Sequence, residues 1–231
     1  MCAKLLTTLM RGKTTKIIPS ISCPKQQKLC STEAASSSLY ELRSYQAEPK
    51  DFKTLVDLFA AHIDKRTHYS KLLWFWTAEI GDNLWQVIHL WEYGSLQERA
   101  GVRKALAQDK AWASEFLSQS MPRMKLMKNY IVMPAPSTKL DTNFSYDDNA
   151  VYVLQTVNAA DKLASMPKSV TEDEKLIGRF IPLLGPGNTE FRLWRYLNLN
   201  AVTEECLHRA KEHPTEGSSI LLQPTAFSPL K

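Results

Sequence analysis

A chain of 231 residues with 44% hydrophobic and 23% charged side chains has ordinary globular composition and suffices for one large domain or two small ones. Its formal charge of +5 is concentrated at one end: residues 1–32 hold six basic residues and no acid, leaving 23 basic against 24 acidic residues in the rest. A nearly neutral body gives no case for a nucleic-acid partner, which needs clustered positive charge, and no apolar run approaches the roughly 20 residues of a transmembrane segment.

Residues 1–38 are basic, hydroxyl-rich and nearly free of acid. Leu5, Leu6, Leu9 and Met10 share one helical face, with Lys4, Arg11 and Lys13 among the polar positions. This is the composition of a transit peptide. It predicts a disordered mitochondrial targeting leader over 1–38, for a protein of the matrix or one associated with a mitochondrial membrane. A basic tail on a cytoplasmic protein is the competing reading. Cys2, Cys23 and Cys30 lie in this leader. Cys206 alone remains in the body, cannot form an internal disulfide, and fits a reducing compartment.

After the leader, LYELRSYQ (39–46) alternates as a strand does. Pro49 suits the first turn of a helix whose apolar face is Phe52, Leu55, Val56, Phe59 and Ile63, and 64–69 reads as a charged connection. Two strands, 71–80 and 84–93, flank a hairpin turn at Gly81-Asp82-Asn83. Ser95 and Glu98 form a capping box for a helix packed through Ala100, Val102 and Leu106. Asp109 caps a further turn with Trp112 and Phe116. A fourth strand, 126–134, and a linker rich in Pro, Ser, Thr, Asn and Asp follow. The order β-α-β-β-α-β is ferredoxin-like, a four-stranded antiparallel sheet with both helices on one face. Its other face needs a partner sheet.

A second, shorter copy is expected beyond the linker: a strand at 151–157, a helix at 159–169, a hairpin of 176–185 and 190–197 around Gly185-Pro186-Gly187-Asn188, a helix at 201–213 and a strand at 219–226. His89-Leu90-Trp91-Glu92-Tyr93 is echoed by Arg192-Leu193-Trp194-Arg195-Tyr196, and Ile131-Val132-Met133-Pro134 by Leu221-Leu222-Gln223-Pro224. Shared order with shared motifs favours duplication. The predicted fold is α+β: two tandem ferredoxin-like half-domains, 39–134 and 151–231, joined by a linker at 135–150, with helices on the outer faces. The halves either close one barrel within the chain or each pair with another chain.

The stretches Tyr40–Tyr45, Trp76–Gly81, His89–Tyr93, Arg99–Ala107 and the ending Pro224-Thr225-Ala226-Phe227-Ser228-Pro229-Leu230-Lys231 resemble the NipSnap family, and within it the third-type homologues. The resemblance implies dimeric α+β-barrel modules and mitochondrial association. It also implies protein partners, autophagy receptors on damaged organelles among them, in mitochondrial quality control (mitophagy) or vesicular transport. It brings no catalytic residues and no cofactor. Trp74 stands where the family usually has Gly, and Arg192 replaces the histidine in the second copy.

Strand parity groups the candidate site. Trp85, Val87, His89 and Trp91 share one face of their strand, Glu41, Arg43 and Tyr45 another, and Thr77 and Glu79 a third. Meeting between two sheets, Glu41, Arg43, Glu79, His89 and Trp91 would line a semi-polar ligand pocket where a histidine beside carboxylates does acid–base work. The structural alternative is a satisfied histidine and a Glu–Arg pair that fixes the sheets. His62, Arg66 and His68 lack a metal-site pattern and read as a solvated loop. Arg99, Arg103 and Lys104, flanked by Glu98 and Asp109, read as an exposed mixed helix face. With no catalytic motif, a non-enzymatic protein that acts through protein–protein interaction, as a homo-oligomer or not, is the leading expectation. A small-ligand-binding or monooxygenase-like enzyme of the dimeric α+β-barrel type is the alternative.

Overall fold

The computed structural model describes residues 38–136, 138–142, 147–158, 173–212 and 217–230. The leader and the helix expected at 159–169 lie outside them. Strand β1 (Leu39–Ala47) leads into helix α1 (Pro49–Thr67), with Pro49 in its first turn. Proline is tolerated there because that turn's N–H groups have no helical acceptor. The helix runs on through the expected charged connection, carrying Lys65 and Arg66 in its last turn. Strands β2 (Lys71–Ile80) and β3 (Gln86–Tyr93) follow around Gly81 at φ 148°. Helix α2 (Leu96–Gln108) is capped by Ser95 Oγ, which accepts from the Glu98 N–H at 3.0 Å. The return arm differs from a capping box, since the Glu98 carboxylate accepts from the Gly94 N–H at 2.7 Å. Asp109 Oδ1 accepts from the Trp112 N–H at 2.9 Å and opens a wide helical turn, Trp112–Leu117, that continues through α3 (Ser118–Ser120) into β4 (Met124–Pro134). The remainder is β5 (Val151–Asn158), β6 (Glu174–Leu184), β7 (Thr189–Tyr196), α4 (Leu199–Glu212) and β8 (Ser218–Pro224).

The eight strands of the described residues form one closed antiparallel barrel in the order β1-β3-β2-β8-β5-β7-β6-β4. The choice left open by the sequence is therefore settled within the chain: a single closed sheet takes the place of two facing ones, and sheet edges persist only where strands overhang at its seams. The interior is packed by Tyr40, Leu42, Trp74, Trp76, Ile88, Leu90, Tyr152, Phe180, Phe191 and Leu222. A second core lies outside the barrel wall, where Tyr45, Phe75, Val87 and Trp91 meet Leu55 and Phe59 of α1, Val102 and Leu106 of α2, and Trp112 and Phe116. A third, with Val153, Trp194 and Tyr196, packs on Ala201 of α4.

The barrel closes along two seams, β2 with β8 and β4 with β6, and each leaves a strand overhanging its neighbour. The overhang of β2 is covered by the chain that leaves β8. The Thr225 N–H donates to Phe75 O at 3.0 Å, the Phe75 N–H to Ser228 Oγ at 3.0 Å, and the Leu230 N–H to Leu73 O at 3.2 Å. The overhang of β6 is covered by the chain that leaves β4. The Ala135 N–H donates to Arg179 O at 2.9 Å and the Asp141 N–H to Ile177 O at 2.8 Å. Leu140 and Leu230 both pack against the barrel core. Ala135 and Asp141 of the segment read as a linker are thus hydrogen-bonded onto β6, and residues 225–230 of the PTAFSPLK motif cover a sheet edge.

Candidate functional site

The residues grouped by strand parity lie on the helix side of the wall, outside the barrel, and not between two sheets. Glu41 is 1% exposed. Its Oε1 accepts from Arg99 Nη2 of α2 and lies 3.9 Å from Arg43 Nε. Its Oε2 accepts from Tyr93 Oη at 3.3 Å. Tyr93 Oη in turn accepts from Arg66 Nη2 of α1 at 2.7 Å. Arg66 also donates to Ser70 Oγ and lies 4.3 Å above the Trp91 ring. Burial pushes the Glu41 carboxyl up, but Arg43, Arg99 and Arg66 more than offset it and hold it below the usual carboxylate range. The cluster ties both helices to the sheet through one carboxylate and one phenol.

His89 sits beside this cluster, stacked on Phe75 at 4.8 Å and 13° and edge-on to Tyr45 at 5.0 Å. Its Nδ1 accepts from Trp91 Nε1, and its buried Nε2 has no partner among the described residues. Burial, and then the charges of Arg43 and Arg66, hold its pKa well below the ordinary value. The imidazole is therefore neutral and walled in by aromatic rings. Glu79 does not join it: it is exposed near the end of β2. Trp85 is 43% exposed and packs on Phe52. The structure thus brings Glu41, Arg43, His89 and Trp91 to one face and leaves Glu79 apart. Among the described residues, no group of three or more His, Cys, Asp or Glu is placed to hold a metal ion.

Two residues read as solvated belong to the cluster. Arg66 lies seven positions after Phe59 and Arg99 three before Val102, so each extends an apolar helical stripe by one turn. That spacing was the available signal. The second copy of the LWxY motif has a matching clamp built from other elements. Arg209 of α4 lies 4.7 Å above Trp194 and donates to Glu174 Oε1 at 2.7 Å, and Tyr196 Oη donates to the same oxygen at 3.1 Å. At the position equivalent to His89, Arg192 donates to Glu190 Oε1 at 2.6 Å, and Arg179 to Glu190 Oε2 at 2.6 Å.

An accessible cavity lies elsewhere, at the barrel mouth formed by the ends of β1 and β5, the starts of β3, β4, β7 and β8, and the β2–β3 and β6–β7 turns. Its volume is about 450 Å³, within the range of small-molecule sites. Leu42, Ile88, Leu154 and Phe191 make an apolar floor; Ser44, Gln86, Thr156, Thr189, Lys128 and Asp82 supply polar groups around it. Ser44 Oγ donates to Gln86 Oε1 at 2.9 Å across the β1–β3 pair. These are the opposite faces of the strands whose outer residues the sequence reading singled out. The polar side chains at inward positions, Ser44, Gln46 and Gln86, were the sign that the interior opens to solvent here.

Residues 40–139 match the NIPSNAP family. The chain is 28% identical to protein NipSnap homolog 3A of Homo sapiens over 96% of its own length and 99% of that relative. It is 30% identical to protein NipSnap homolog 3B of Homo sapiens over 58% of this chain and 55% of the relative. Among solved structures, a candidate monooxygenase of Fusobacterium nucleatum superposes with a TM-score of 0.57 over 81% of this chain and 92% of that one. At 9% identity this similarity concerns the fold alone.

Proposed function

Because the chain carries a NIPSNAP domain over residues 40–139 and is related to NipSnap homologues along nearly its whole length, we propose that it is a non-enzymatic, mitochondrial NipSnap-type protein that works through protein–protein interaction. One observation carries the non-enzymatic part. His89 is buried and enclosed by Phe75, Tyr45 and Trp91, and Glu41 is already engaged by Arg99 and Tyr93. A general acid or base must reach the proton it moves, and this imidazole is packed against aromatic rings with its Nδ1 already accepting from Trp91. The mitochondrial part rests on the leader's composition. Autophagy receptors, in mitochondrial quality control, are the partners that the family suggests, with vesicular transport the other role. The strand orders β4-β1-β3-β2 and β8-β5-β7-β6 support reading 39–134 and 151–231 as tandem ferredoxin-like half-domains derived by duplication.

A tagged chain lacking residues 1–38 should lose its mitochondrial localisation, and unchanged localisation would remove that part of the proposal. Proximity labelling from the full chain after membrane depolarisation should enrich autophagy receptors over mock-treated cells. The cavity at the barrel mouth favours a second reading, a carrier of a small ligand. Native mass spectrometry of the full chain purified from mitochondria would reveal a co-purifying small molecule if that reading is right.

A further inference from the structure

We propose that the free edge of β4 at the barrel mouth is a docking site for an extended, acidic and apolar peptide segment of a partner protein, which adds to the sheet as an extra strand. This rests on the protein–protein interaction reading and gives it a surface. Strand β4 spans eleven residues, but its pairing with β6 ends at Ile131 opposite Leu184. Beyond it the β6–β7 hairpin pairs no further with β4 but packs on Tyr130, where a Cβ on Gly185 would stand 3.0 Å from the ring and Phe191 stacks at 5.8 Å. Residues 124–129 are paired with β1 on one side and have no sheet partner on the other among the described residues. The edge is about 20 Å long at the usual rise per residue.

Its condition contrasts with the overhangs of β2 and β6, which are hydrogen-bonded by the protein's own chain at Thr225, Ser228 and Leu230 and at Ala135 and Asp141. An uncovered edge offers a row of backbone donors and acceptors to an incoming strand. Leu126, Lys128 and Tyr130, at alternate positions of β4, line the mouth cavity together with Pro186, Thr189 and Phe191 across the gap. A segment laid on the edge therefore sends every second side chain toward the apolar floor. Leu126 and Met127 are 46% and 44% exposed, an apolar pair that such a segment would cover.

Charge selects the occupant. The stretch Met-Lys-Leu-Met-Lys-Asn-Tyr has two lysines and no acid. Lys125 is paired with Glu48 at 2.8 Å, whereas exposed Lys128 has no ion pair among the described residues, and Asp82 is the one acid of the cavity lining. A second copy of this edge would bring four lysines together, the arrangement by which sheet edges avoid self-pairing. A partner segment with carboxylates between apolar residues meets Lys128 and fills the cavity.

The test selects linear peptides from a random display library on the full chain, then follows amide hydrogen exchange with the best peptide bound. Alternating apolar and acidic residues should be enriched, and exchange should slow at residues 124–129. The exposed substitution Lys128→Glu should weaken binding about ten-fold or more, the loss of one well-placed charge contact. Protection confined to other strands, or equal affinity for Lys128→Glu, would overturn the proposal. So would a concentration-dependent dimer that protects 124–129 without peptide, since the edge would then belong to a second copy. If no peptide is enriched while proximity labelling still recovers partners in mitochondria, the docking edge fails and the interaction reading stands.

Discussion

Glutamine in place of Glu41 keeps the side-chain volume and removes the charge. Glu41 is 1% and Arg66 4% exposed, and Arg99 and Arg43 reach solvent only in part. Arg99 and Arg43 lie at this carboxylate and Arg66 reaches it through Tyr93, and none of the three can shed its proton near neutral pH. Without Glu41 their charges are left to repel one another. Removing one partner from a buried ion pair costs about 3–5 kcal/mol. Since Arg43 and Arg99 can turn toward water, the lower end applies, about 3 kcal/mol. For a domain of this size class that lowers the midpoint of thermal unfolding by about 6–12 °C. Urea unfolding followed by tryptophan fluorescence measures the loss directly. Adding Arg99→Met to Glu41→Gln should cost less than the two single changes summed, because it deletes one of the stranded charges. A Glu41→Gln protein within 1 kcal/mol of the parent (approximately the worth of a surface pair) would refute the clamp.

The neutral His89 gives stability a pH dependence. Its folded pKa lies below the ordinary 6.5, so the unfolded chain binds the extra proton first and stability falls as pH drops from about 6.5. Carboxylates titrate mainly lower, so just below about pH 6.5 the His89 contribution has a slope of at most about 1.4 kcal/mol per pH unit, and His89→Phe should flatten it. Deleting residues 225–231 strips β2 of its cover at Phe75 and Leu73. At about 1 kcal/mol per hydrogen bond plus the buried parts of Phe227 and Leu230, the loss is about 5 kcal/mol; light scattering should also detect aggregation through the bared edge, and a monomeric truncated chain of unchanged midpoint would argue against the strap. Gly217 has φ 100°, and a Cβ there would stand 2.0 Å from Thr156 O. Gly217→Ala should therefore cost more than about 2 kcal/mol in chemical denaturation, and a neutral result would show that the β8 entry can shift at little cost.

The sequence made the local elements readable because each is set by nearby residues: Pro49 at a helix start, Ser95 and Asp109 as caps, alternation along β1 and β3. It did not say which side of a strand faces which layer. Period-two alternation places Glu41 with Arg43, and His89 with Trp91, but is indifferent to whether that face meets helices or another strand layer. The helix side took them because α1 and α2 bring Arg66 and Arg99, which the carboxylate needs. The single barrel was equally hidden. It depends on the pairing of β2 with β8 and of β4 with β6, contacts between residues distant in the chain. The mouth cavity follows from that closure; polar Ser44, Gln46 and Gln86 at inward positions mark it only once the inward face is known.

The repeated LWxY motif shows what constrains the two strands that carry it and where they are free. In both, an indole holds a guanidinium and a phenol reaches a carboxylate. Yet Arg66 comes from α1 and Arg209 from α4, while Glu41 comes from β1 and Glu174 from β6. Descent from one ancestral unit would by itself preserve the elements along with the contacts. Different elements supplying the same contacts mean that the requirement is physical: a buried Tyr hydroxyl needs polar partners, and a charged pair under the helix fixes that helix on the sheet. Positions devoted to this task are not available to a substrate. His89 and Arg192 occupy equivalent strand positions and are accommodated in opposite ways, one neutral among rings, the other paired with Glu190. Both solutions spend the helix-side face on stability, and the barrel mouth and the edge of β4, where recognition is proposed, lie away from that face.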